Sequence, residues 1–145
     1  MKKTLAIVMV VLPMFIWGQN DISKLIKLDN KKGNYLLGAT IYYNENLAPI
    51  DTVYVLAACD EYDYYAPSFP AISGYYSEVV QLLNKLTNGC INPDMEGLSL
   101  SNDEHEYTIS KGNVNIRYFD GRSKNFSRKE LLKFKEKITR FVNGK

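Results

Sequence analysis

Histidine is almost missing from this chain: His105 is the only one among 145 residues. Zinc sites built from several imidazoles and catalysis by a histidine pair are thereby excluded. A Ser-His-Asp or Cys-His arrangement would have to use His105, and no glycine-flanked serine supplies its nucleophile. Between Glu104 and Glu106, His105 reads as a surface residue. Glycine-rich phosphate loops are missing as well, since neither G-x-G-x-x-G nor G-x-x-x-x-G-K occurs. The two cysteines, Cys59 and Cys90, lie too far apart in sequence for a C-x-x-C redox or zinc pattern. The ligand order of a calcium loop is absent, so no metal and no cofactor is expected. Low-complexity segments and long internal linkers are also lacking.

Long apolar runs are confined to the start. Lys2 and Lys3 precede an apolar run from Leu5 to Trp17 that Pro13 interrupts, and Gly18 leads into Gln19-Asn20-Asp21. This run is short of the roughly 20 residues that cross a bilayer, so residues 1–18 are expected to be a secretory signal peptide and the protein exported, periplasmic or secreted. In an oxidising compartment a Cys59–Cys90 disulfide is expected, stabilising the fold by about 3–4 kcal/mol on a chain-entropy estimate.

Charge divides along the chain. From Gly33 to Glu106 eleven acids stand against Lys85 alone, whereas Tyr107 to Lys145 holds eleven bases and three acids. Such asymmetry marks either a charged partner or differently solvated halves.

Residues 19–34 read as a short helix or a flexible lead, with Ile22, Leu25, Ile26 and Leu28 at helical spacing and Asp21 as N-cap. From 35 to 145 a single α+β domain is expected. Tyr35–Tyr43 and Ile50–Cys59 alternate with period two, the first with both faces largely covered, and form an antiparallel hairpin. Pro67 and Pro70 indicate an irregular loop. Ile72, Tyr76, Val79, Val80, Leu83 and Leu86 mark one helix face, ending at Asn88-Gly89. A second hairpin turns at Lys111-Gly112 with Ile109 opposite Val114, Asp120-Gly121 makes another tight turn, and 122–126 returns as a short strand. Ser127 and Glu130 form a capping box for a helix to Val142, with Leu131, Phe134, Ile138, Phe141 and Val142 as its stripe. The expected order is ββαββ(β)α: an antiparallel sheet of four to five strands with two main helices on one face.

For function the conspicuous stretch is Asp60-Glu61-Tyr62-Asp63-Tyr64-Tyr65, followed by Phe69. Tyrosine combines a rigid apolar ring with a polar tip, and acids beside it hydrogen-bond sugar hydroxyls or pair with a basic partner. The reading is a non-enzymatic exported domain that binds a protein or a glycan through Tyr62, Asp63, Tyr64, Tyr65 and Phe69. Two alternatives compete with it. One is a small secreted hydrolase using the carboxylates of that loop. The other is an envelope-associated structural protein whose Lys129, Lys133, Lys137 and Arg140 face anionic lipid, export arguing against nucleic acid.

Overall fold

The computed structural model describes residues 22–59 and 69–144. Its secondary structure is α+β, in the order ββββα repeated twice: β1 (Ile22–Lys31), β2 (Tyr35–Tyr43), β3 (Pro49–Ala58), β4 (Phe69–Gly74) and α1 (Tyr76–Gly89), then β5 (Ser99–Ser101), β6 (His105–Ser110), β7 (Asn113–Tyr118), β8 (Ser123–Ser127) and α2 (Arg128–Val142). A 3-10 turn at Pro93–Met95 follows α1. Instead of one sheet there are two, each a four-stranded antiparallel meander in chain order. The chain divides after Tyr76 into two compact units, one sheet in each.

In the first unit β2 and β3 pair as their alternation predicts, and both faces of the sheet are filled. Leu25, Leu36, Val53, Val55 and Ala57 pack together on one side. Tyr35, Leu37, Tyr54, Leu56 and Ala58 are buried on the other. The expected N-terminal helix or lead is instead strand β1, bonded along β2 from Ile22↔Tyr43 to Lys31↔Tyr35. Ile22 and Ile26 lie on one side of β1 and Leu25 on the other, so apolar residues on both faces fall at a spacing that mimics a helix, and a bulge between Lys27 and Asp29 follows them. The expected irregular loop and early helix start also need correction. Phe69–Gly74 is a strand, Ile72 lies opposite Leu56, and Pro70 sits at a register shift opposite Ala57. As β4 is the last strand of its sheet, a proline costs it no interior ladder bond.

In the second unit the β6–β7 hairpin has the register expected, Ile109 opposite Val114. The left-handed conformation its turn requires is taken by Gly112, at φ 79°. Tyr107, Ile109, Val114, Ile116 and Phe126 form a buried face. Helix α2 lies on it, Phe134 meeting Phe126 edge to face with centroids 5.8 Å apart. The capping box is complete, with the Ser127 hydroxyl accepting from Glu130 N–H at 3.1 Å and Glu130 Oε1 accepting from Ser127 N–H at 3.0 Å. Helix α1 reaches the same face through its C-terminal end. There Gly89 abuts Ile109, the Arg128 Nε–H donates to the Thr87 carbonyl at 3.0 Å, and Gly112 N–H donates to the Cys90 carbonyl at 3.3 Å. Three-residue β5, which sequence reading leaves as loop, closes the sheet beside β6.

Cys59 and Cys90 are not joined by a disulfide in this structure. Cys90 is buried just past α1, its Sγ–H directed at the Asn113 carbonyl at 3.6 Å, and burial pushes its pKa up. Cys59 is half-buried at the end of β3, its N–H donating to the Asn34 carbonyl. No helix among the described residues is long and apolar enough to cross a membrane.

Candidate functional site

Of the binding residues expected from sequence, Tyr62, Asp63, Tyr64 and Tyr65 lie outside the described residues. Phe69 is described, and its place corrects the expectation. At 2% exposure it is buried opposite Ala58. A side chain so placed presents nothing to a partner. Lys129, Lys133 and Arg140 are exposed on α2 and Lys137 is half-buried, while Arg140 is engaged by Glu136 one turn back at 3.0 Å.

The described residues do bring acids and aromatic rings together elsewhere, at the end of the second sheet where two turns lie side by side. Antiparallel pairing sets His105 opposite Tyr118. The β5–β6 turn and the β7–β8 turn therefore become neighbours although 15 residues lie between Asp103 and Phe119. Each turn is organised by its own side chains. Asn102 Oδ1 accepts from the N–H groups of Glu104 at 2.9 Å and His105 at 2.8 Å, which closes the first turn and projects Asp103 and Glu104 outward. In the second, Asp120 accepts from Arg122 N–H at 3.1 Å and from its Nε–H at 2.8 Å, and Gly121 takes φ 94°. The Arg122 guanidinium carbon stands 5.8 Å from the Tyr118 ring centre.

Between the turns is an open pocket of about 340 Å³, lined by Ser101, Asn102, Asp103, Glu104, His105, Glu106, Arg117, Tyr118, Phe119 and Gly121. Its aromatic wall is layered. His105 stacks on Tyr107 at 5.7 Å and meets Tyr118 at 5.2 Å, and Tyr118 contacts Phe119 at 4.5 Å. The outermost ring, Phe119, is 69% exposed. His105, expected at the surface between two acids, is only 6% exposed. The strand alternation that turns Glu106 outward turns His105 inward with Tyr107 and Ile109.

Electrostatics follow from this layering. Burial holds the Tyr107 phenol above its ordinary pKa, and the Glu104 charge pushes the same way against a hydrogen bond with Asn102. Tyr118 is raised by burial and then by the charges of Glu104 and Asp120, with Arg122 opposing. Asp120 is held below the usual carboxylate value by its hydrogen bond with Arg122. Glu106 is ion-paired with Arg117 across the β6–β7 ladder. The pocket thus offers neutral phenol and amide groups, two solvent-facing carboxylates and one exposed ring.

The sequence shows His105 between two acids and the Asp120-Gly121 turn as separate features, with nothing local to join them. The signal was present: the Ile109–Val114 register, continued toward the open end of the hairpin, sets His105 against Tyr118. Among the described residues no group of three or more His, Cys, Asp or Glu is placed to hold a metal ion. Compared with known proteins, the chain matches no family model, no curated protein and no solved structure.

Proposed function

We propose that this chain is an exported, non-enzymatic binding domain that recognises a glycan through the pocket between the β5–β6 and β7–β8 turns. The observation that carries the reading is Phe119: a large ring, mostly exposed and backed by Tyr118, beside Asp103, Glu104, Asn102 and Arg117. An exposed ring on a rigid turn gives the C–H face of a pyranose a platform at little conformational cost. Carboxylates, the Asn102 amide and the Arg117 guanidinium supply acceptors and donors for its hydroxyls.

The test is a glycan array probed with the exported protein and three variants, Phe119→Ala, Asp103→Asn and Glu104→Gln, each checked for native circular dichroism. Truncating an aromatic anchor is expected to weaken retention about tenfold or more, and each carboxylate change about three- to tenfold. Retention of no glycan, or retention that none of the three variants weakens, overturns the reading. So does preferential capture of lysine-rich peptides, which would assign the carboxylates to a basic protein partner.

A further inference from the structure

The outer face of the second sheet continues from this pocket, and its composition is unusual for a strand surface. Strand pairing sets its side chains in three rows. The row bordering the pocket is Ser101, Glu106, Arg117 and Ser123. Next comes Ser99, Thr108, Asn115 and Asn125, crossing all four strands, and then Ser110, Asn113 and Ser127. All eleven are exposed or half-buried, and none is apolar or lysine. Within the middle row Ser99 and Thr108 hydroxyls lie 3.1 Å apart, and Asn115 Nδ2–H donates to Asn125 Oδ1 at 2.9 Å.

A solvated sheet face gains stability from β-branched and aromatic side chains, yet Thr108 is the only one here. Serine and asparagine fill eight of the eleven positions. Apart from Ser127, whose hydroxyl caps α2, they form short, stiff rows of groups that both donate and accept. Other surfaces would need different chemistry. A protein hot spot rests on clustered aromatic or arginine anchors, and these rows hold no aromatic side chain and a single arginine. A polyanion needs a basic patch, whereas Glu106 and Arg117 cancel and leave the face neutral.

A neutral polyhydroxylated chain meets every condition. Successive rows are two residues apart along each strand, about 6.8 Å, so the three rows reach about 14 Å from the pocket side, roughly three sugar units. We propose that the ligand is a neutral oligosaccharide of three or more units, seated with one unit on Phe119 and running from the pocket across the Ser/Thr/Asn rows. This rests on the glycan reading of the pocket. It adds that length is recognised, and by which residues.

Calorimetric titration with cello-, xylo- and malto-oligosaccharides from two to six units tests it, with amide chemical shifts of the labelled protein recorded in parallel. In the series that binds, affinity is expected to rise about fivefold or more between two and five units, with shift changes at Thr108, Asn115 and Asn125. Thr108→Ala and Asn115→Ala, at solvent-facing positions, should remove that gain and leave two-unit binding intact, while Phe119→Ala weakens every length. Binding that depends on Phe119 but not on length, or a gain that survives both alanine variants, overturns this inference and leaves the pocket reading standing. Binding of none of the three series overturns it as well, and the array result then decides the pocket independently. Selective binding of acidic glycans on the array also refutes it.

Discussion

Among the second unit's glycines Gly89 is the one at which an added Cβ would meet a close neighbour. It occupies the last turn of α1, and an added Cβ would lie 2.6 Å from Ile109 Cδ1. Two effects oppose each other in Gly89→Ala. Alanine favours the helix by about 1 kcal/mol over glycine. Against this, Ile109 is fully buried, and overpacking of a buried core costs about 1–3 kcal/mol. A net loss of about 1–2 kcal/mol is therefore expected. Ile109→Val removes Cδ1 and alone should cost about 1 kcal/mol. In the double variant the alanine methyl group occupies part of the vacated space, so its stability should fall within about 1 kcal/mol of the original chain, a coupling well outside additivity. Urea unfolding of the four proteins, followed by circular dichroism with slopes checked for two-state behaviour, measures the cycle. A Gly89→Ala protein as stable as the parent, or strictly additive losses, would refute the contact.

Other consequences can be checked on the same material. Leu47, in the β2–β3 loop, holds φ 61° while 66% exposed; Leu47→Gly should raise stability by about 0.5–1 kcal/mol in urea, and a loss would refute local strain. Under native, non-reducing conditions iodoacetamide should label half-buried Cys59 well before Cys90, whose burial and raised pKa suppress the thiolate; mass spectra with neither site labelled until reductant is added would reveal a bond between them. Tyr107 is held above its ordinary pKa, so the stability its neutral phenol confers is fully present below about pH 10 and is lost as pH rises through the folded value. Urea midpoints measured from about pH 8 to 11 should fall, and Tyr107→Phe should flatten the decline; an unchanged slope would count against the buried phenol.

Where one local signal and one burial pattern agreed, the sequence was sufficient. Alternation in Tyr35–Tyr43, flanked by turn residues, admits only a strand covered on both sides. Ser127 and Glu130 can satisfy each other only at a helix start, and the stripe of Leu131, Phe134 and Ile138 then decides which side of α2 is buried. Lys111-Gly112 sets the hairpin register because the turn must place a left-handed residue at Gly112. Glu104, His105 and Glu106 and the Asp120-Gly121 turn were also visible, as two separate segments.

Tertiary structure decided what depended on neighbours far along the chain. Apolar residues on both faces of β1 imitate a helical spacing, and only pairing with β2 shows that they belong to a strand. Pro70 is acceptable in β4 because that strand lies at the edge of its sheet, a position no local window records. Asn88-Gly89 reads as a helix terminator by virtue of glycine's left-handed freedom, but Gly89 is required by the approach of Ile109. The same holds for function. Asn102, Asp103, Glu104, Tyr118 and Phe119 share one pocket only because antiparallel register folds two turns onto one end of the sheet. Serines and asparagines scattered through 99–127 become an ordered face only once four strands align them. Periodicity is a property of a few consecutive residues, whereas a site is a property of register, and register is set by packing between strands.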